Sequence, residues 1–386
     1  MHDAKSSALI DTYAQFPFEI VSGVGSRVRL RDGREMWDFY GGHAVCGIGH
    51  SHAAVADAIV RQARELAFYS NVVPLEIRTR AAERLVAFAG AGLRHVFFCN
   101  SGAEANENAL KLAIQQTNRE KIAVADGGWH GRTLLALSAT TEEKLRKPFA
   151  KLLTESVRLK LNDLDDIRRI DDRVAAVIVE PIESIAGIVT LDPAFLAALR
   201  RRCDEIGALL VFDEIQTGVG RCGRAYIAGE HGTQPDIVTS AKSLANGFPV
   251  GAVLMNSRVG SRVAGGDLGS TFGGGPLACA AMLAVLDVIE REELIARAAQ
   301  LGDRMRAALR IGPVCDVLGR GCLIGLRTTR PAKQIQAELF DLGFVTGTSA
   351  DSHVLRLMPP MNLPFEAIDE LGRALHWIGA GKEAAI

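Results

Sequence analysis

Six short apolar runs, at 95–99, 122–125, 175–179, 209–212, 237–239 and 250–255, alternate with segments that mostly carry a helical pattern. This alternation constrains the fold more than any other feature of the chain. Strands joined by helix-length crossovers build a mostly parallel sheet with helices on both faces, so the expected class is α/β. Ahead of the series, residues 28–31, Asp32-Gly33 and 34–39 have the pattern of a hairpin on a two-residue Asp-Gly turn. After Pro276 the pattern becomes helix-rich, with strand-like pieces at 323–326 and 354–357. At 386 residues the chain exceeds one typical domain, and two are expected.

The charge balance narrows the ligand. Lys and Arg number 44 and Asp and Glu 45, for a net charge of −1 without a long basic run, so nothing favours nucleic acid or an anionic membrane as partner. A small-molecule ligand is the expectation. Seven scattered cysteines with no C-x-x-C pair point to reduced thiols and a cytoplasmic protein. No apolar signal core follows Met1-His2-Asp3-Ala4-Lys5, and the most apolar later stretch, 277–286, is far shorter than the ~20 residues that span a bilayer.

Two motifs invite other chemistry and lack its context. Gly218-Val219-Gly220-Arg221-Cys222-Gly223 fits G-x-G-x-x-G, yet it does not sit directly between a strand and a helix, and Asp236 opens the next strand instead of ending it. His43, Cys46, His50 and His52 match no common zinc spacing, so no metal is expected and a turn with half-buried imidazoles is the better reading.

The productive pattern lies where strands end. Asp213 closes the run at 209–212, and Lys242 follows the run at 237–239. A carboxylate for a ring nitrogen and an amine for an aldehyde are what pyridoxal phosphate requires. A free lysine, with a reference pKa of about 10.4, must lose its proton before it acts as nucleophile or base, and a strand end allows that desolvation. Ser101, Gly102 and Ala103 open a helix directly after a strand, where backbone N–H groups suit a phosphate, although an ordinary serine cap gives the same pattern. Trp129 beside glycines suits stacking on a flat ring, and Arg132 suits a carboxylate; core packing and a surface ion pair are the plainer alternatives.

Taken in order, Ser101-Gly102-Ala103-Glu104-Ala105, His130-Gly131-Arg132-Thr133, Glu180-Pro181-Ile182, Phe212-Asp213-Glu214-Ile215-Gln216-Thr217-Gly218, Ala241-Lys242 and Ser270-Thr271-Phe272-Gly273-Gly274 resemble the class III aminotransferases, most nearly the acetylornithine branch. The resemblance covers nearly the whole chain. It implies the aspartate aminotransferase-like fold (pyridoxal-phosphate fold type I), with an N-terminal segment at 1–50 packing against a small domain, a large cofactor-binding domain at 51–276, and a C-terminal small domain at 277–386. It also implies Lys242 as the cofactor-linked lysine and proton shuttle, Asp213 on the pyridine nitrogen, Gln216 near the ring's phenolic oxygen, and Ser101, Gly102 and Ala103 on the phosphate. Thr271 would reach that phosphate from the other subunit of a homodimer with composite sites. Trp129 stands where phenylalanine or tyrosine usually stacks; Arg356 matches the α-carboxylate arginine, Arg132 the distal-carboxylate one, and Glu180 falls among the substrate-binding positions. The implied partners are an amino donor and a 2-oxo acid such as 2-oxoglutarate.

One departure bears on the substrate. Such enzymes usually read Glu-Pro-x-Gln-Gly-Glu after the third strand, and the second glutamate masks the α-carboxylate arginine when a distal amine reacts. Here the run is Glu180-Pro181-Ile182-Glu183-Ser184-Ile185, and Ile185 cannot neutralise Arg356. Transfer from an α-amino acid is therefore as reasonable an expectation as transfer from an acetylornithine-like donor. A decarboxylase or aminomutase on the same scaffold comes next, with a nicotinamide-dependent dehydrogenase and a non-catalytic binding protein further off.

Overall fold

The computed structural model describes residues 8–10 and 12–381. Near the N-terminus β1 (Ile20–Val24), β2 (Arg27–Leu30) and β3 (Glu35–Asp38) form an antiparallel meander. Its second turn corrects the expected two-residue loop. Leu30 N–H donates to Arg34 O and Gly33 N–H to Leu30 O, so Arg31, Asp32 and Gly33 form a three-residue loop. Gly33 has φ 91°, the left-handed position such loops reserve for glycine.

The central sheet contains β4 (Leu93–Cys99), β5 (Lys121–Ala125), β6 (Ser156–Leu159) and β7 (Val174–Val179); a short hairpin, β8 (Ile182–Glu183) and β9 (Val189–Thr190), then leads to β10 (Leu209–Asp213), β11 (Ile237–Ser240) and β12 (Gly251–Asn256). The order is β4-β12-β11-β10-β7-β5-β6, and only the pairs made by β12 are antiparallel. Every residue of β5, β7 and β10 is buried, as a parallel sheet covered on both faces requires. Strand β6 has no counterpart among the six apolar runs. It is an edge strand, Ser-Val-Arg-Leu, with three half-buried residues, too short and polar to stand out.

Beyond the helix Pro276–Arg291, β13 (Val314–Arg320), β14 (Leu323–Thr328), β16 (Gly347–Thr348) and β17 (Val354–Leu357) make a second antiparallel sheet. Strand β15 (Phe344–Val345) pairs in parallel with β3, so the N-terminal meander takes its fourth strand from the C-terminal part of the chain.

Arg221, fully buried, ties these parts together. One of its terminal nitrogens donates to Cys322 O and Pro359 O, the other to Ala44 O and Ser243 Oγ. A buried cation survives where carbonyl dipoles replace its water. Here those dipoles come from the N-terminal segment, from Cys322 just ahead of β14 and from Pro359 after β17, and the hydroxyl belongs to the neighbour of Lys242. Among the described residues no helix is long and apolar enough to cross a membrane.

Candidate active site

Strand β4 runs through Asn100 and Ser101 into the helix Gly102–Thr117. Ser101 Oγ accepts the Glu104 N–H at 3.1 Å, and Glu104 reaches back to the Asn100 N–H, a reciprocal cap. The cap is real, and it leaves Gly102 and Ala103 in the wall of a cavity of about 430 Å³. Gly131, at φ 134°, lets the loop after β5 lie against this helix start, because a Cβ there would come within 2.7 Å of Ala103 Cβ. The same cavity is lined by Trp129, Arg132 and Lys242, so six of the residues singled out from sequence meet at one place. Tyr13 and Val45 also contribute to it, and no sequence pattern had marked them; Ile215, from the motif around Asp213, lines it as well.

Asp213 sits behind this wall, buried at the end of β10. Its Oδ2 accepts from His130 Nδ1 at 2.8 Å and from Asn106 Nδ2 at 2.7 Å, and Oδ1 accepts from the Ile215 N–H at 3.1 Å. Asn106 is itself fixed: it donates to His130 O, and its Oδ1 accepts from Thr239 Oγ1. Asn106 and His130 thus set the position of the carboxylate. Neither had been assigned that role, because nothing local in the sequence connects them to Asp213.

Lys242 begins the turn after β11, the strand paired with β10, with Thr239 opposite Asp213. Its φ of 50° is left-handed, a conformation that costs a non-glycine residue on the order of 1–3 kcal/mol unless its surroundings hold it. The bonds from Ser243 Oγ to Ala44 O and from Arg221 to Ser243 do so. Burial lowers the Lys242 pKa to about 8, against the opposing pull of the Glu180 and Asp213 charges. Glu180 is buried at the end of β7, accepting from the Trp129 and Ser184 N–H groups.

Arg356, on β17, is buried and donates from Nε to Thr348 O at 2.7 Å and from Nη1 to Ser184 Oγ at 3.0 Å. Ser184 Oγ spends its one proton on Gln216 Oε1, so it meets Arg356 as a neutral acceptor. Ile185 is half-buried, with its carbonyl bonded to the Ala350 N–H. Thr271 lies apart, exposed and outside this chain's own cavity. Arg132 is exposed, its guanidinium 5.4 Å from the Trp129 ring centroid and 5.8 Å from that of Tyr13.

The histidine cluster has other occupations. His50 Nε2 meets Asp38 at 2.7 Å, and hydrogen bonds to Asp38 and Cys46 raise its pKa to about 10. His43, lowered to about 3 by burial, engages the Tyr40 hydroxyl, and His52 caps the helix Ala53–Glu65.

These features fit pyridoxal phosphate: a helix start for the phosphate, an indole for the ring, and a carboxylate and an amine from adjacent strand ends. The model of the class-III aminotransferase family matches residues 10–378. The acetylornithine aminotransferase of Mycobacterium bovis is 41% identical over 382 residues, covering 97% of this chain and 95% of that protein. That of Methanosarcina mazei is 38% identical over 374 residues, covering 96% and 93%. The solved ornithine aminotransferase of Toxoplasma gondii, with pyridoxal phosphate at partial occupancy in its active site, superimposes with a TM-score of 0.90 at 29% identity, over 96% of this chain and 92% of that one.

Only the unprotonated amine attacks an aldehyde. The rate at which pyridoxal phosphate recombines with cofactor-free protein should therefore rise with pH to a midpoint near 8, the value for Lys242. Stopped-flow absorbance measures it; a midpoint near that of an ordinary lysine, about 10.4, would contradict the account.

Proposed function

This chain belongs to the class III aminotransferases, and we propose that it exchanges amino groups between an ornithine-like or α-amino-acid donor and a dicarboxylic 2-oxo acid such as 2-oxoglutarate. The cofactor is pyridoxal phosphate, and the reaction is amino-group transfer; decarboxylation and amino-group migration are not favoured by the matching family model or by the two relatives described above, which are named aminotransferases. The cofactor supplies an aldehyde that receives amino groups and a ring that takes up electron density. The chain supplies the rest. Asp213 would accept from the ring nitrogen and keep it protonated. Lys242, once its amine is free, moves the proton between the substrate carbon and its acceptor. Trp129 would cover one ring face against water, and the N–H groups of Gly102 and Ala103 would hold the phosphate.

The reading of substrate rests on Arg356. Its side-chain partner is the neutral Ser184 hydroxyl, with no carboxylate bonded to it among the described residues, so its charge is available to a substrate carboxylate. In a partly dry pocket that pairing contributes on the order of 2 kcal/mol. This observation supports α-amino donors beside the acetylornithine-like donor that the relatives' names suggest. Arg132, at the exposed rim of the cavity, suits a distal carboxylate. A screen with 2-oxoglutarate as acceptor, comparing N-acetylornithine, ornithine, lysine, 4-aminobutyrate and α-amino acids, identifies the donor. Ile185→Glu places a carboxylate beside Ser184, and kcat/KM should then shift by roughly tenfold from α-amino towards distal-amine donors, the equivalent of about 1.4 kcal/mol. An unchanged ratio would sink this account of donor choice while leaving the transaminase reaction intact.

The site is completed by a second copy. Thr271 and Phe272 are exposed; Phe272 packs against Phe68 at 5.2 Å, and Tyr69 and Val72 extend an uncovered apolar face beside them. Such a face, continuous with the Thr271 loop, suits a symmetric dimer in which each Thr271 serves the partner's phosphate site. Mixing Lys242→Ala with Thr271→Ala subunits should then regain activity, because the heterodimer contains one intact composite site. No gain on mixing means the loop acts within its own subunit.

A further inference from the structure

Behind Trp129 lie two carboxyl groups that cannot both be charged. Glu180 and Glu183 are buried, 3% and 0% exposed, three residues apart across the Pro181 corner. Their hydrogen bonds are unequal. Glu180 accepts on both oxygens, from the Trp129 and Ser184 N–H groups. Among the described residues Glu183 accepts only on Oε1, from the Glu180 N–H at 3.3 Å, and its Oε2 meets no N–H or O–H donor. No lysine or arginine is paired with either of them among the described residues. An uncompensated buried carboxylate is among the most costly groups a protein can hold, and it takes up a proton instead. Two carboxylates in contact likewise share one.

We propose that Glu183 is a positioning residue that stands as the neutral acid and donates its proton to Glu180, so that the pair brings one negative charge, not two, to the cofactor cleft. The unequal bonding decides which member keeps the proton: Glu180 has its acceptors filled by two backbone donors, and Glu183 has a free oxygen to carry the hydrogen. Burial and the neighbouring Glu180 charge raise the Glu183 pKa well above the ordinary carboxyl value; burial raises that of Glu180 too, and the larger rise at Glu183 agrees with this assignment. The groups around the pair are Asp213 from the end of β10, His130 after β5, Lys242 after β11 and Arg356 on β17; the charges of the first three act directly on Glu180. With Glu183 neutral, the single Glu180 charge balances Lys242 and leaves Arg356 attractive to anions. An ionised Glu183 would add negative charge where substrate carboxylates must bind.

An acid with a raised pKa is neutral below that value, so the cleft becomes more negative as pH rises through it. The part of this inference that concerns anionic substrates rests on the proposed function; the proton assignment does not, and it is tested without cofactor. Infrared spectra of the cofactor-free protein should show a carboxylic-acid carbonyl band that persists above about pH 7, where Glu214, a further fully buried acid whose pKa burial raises, ionises. The band should be absent from Glu183→Gln. A wild-type spectrum with no such band overturns the proposal without recourse to any variant, and so does a band that survives in a folded Glu183→Gln protein. Glutamine keeps a neutral donor towards Glu180, so this variant should match wild type near neutrality and should escape the alkaline fall in kcat/KM for 2-oxo acids, about tenfold for one added charge in the cleft. If the band is present and the alkaline fall is the same in both proteins, the proton is where we place it and its proposed effect on substrate anions is wrong.

Discussion

A carboxylate buried at the end of a strand is tolerable only when its oxygens are met by donors, and the architecture of this cleft follows from meeting that condition for Asp213. Three donors converge on it, from the helix Gly102–Thr117, from the loop after β5 and from the turn that follows Asp213 itself. Asn106 fulfils its part only because Thr239, on the adjacent strand, occupies its carbonyl oxygen. The chain therefore orients the carboxylate before any ligand arrives, and charge placed in a dry, preorganised site acts more strongly than the same charge in water.

Lys242 depends on a different anchor. A left-handed lysine three residues beyond Thr239 would relax if its turn were free, and Arg221 prevents that by linking Ser243 to Ala44, Cys322 and Pro359. The position of the amine is thus coupled to the packing of the N-terminal segment and the second sheet on the central one. Its lowered pKa has the same origin, since burial outweighs the attraction of Glu180 and Asp213.

Much of this was legible from sequence, for a physical reason. Parallel strands covered on both faces are continuous apolar runs, and their carboxyl ends are where ligand groups collect, so Ser101, Trp129, Asp213 and Lys242 could be singled out from pattern alone. What escaped depended on contacts between distant residues or on weak local pattern. Asn106 and His130 lie 107 and 83 positions from the carboxylate they orient, and Ser184 lies 172 from Arg356. Edge strand β6 was lost to its polarity, and the hairpin loop gained a residue because Gly33 takes the left-handed position at its end. Glu183 stands in the run that departs from the usual motif, but the absence of a donor at its Oε2 among the described residues is a property of burial and geometry that no single sequence displays.

The central claim is that a pyridoxal ring is held between the ends of β10 and β11, with its aldehyde carbon linked to Lys242. Borohydride reduction of the cofactor-loaded protein, followed by proteolysis and mass spectrometry, tests it directly. The account predicts a pyridoxyl adduct on the peptide containing Lys242 and its loss in Lys242→Ala. An adduct on any other lysine, formed with the same yield in that variant, would contradict it.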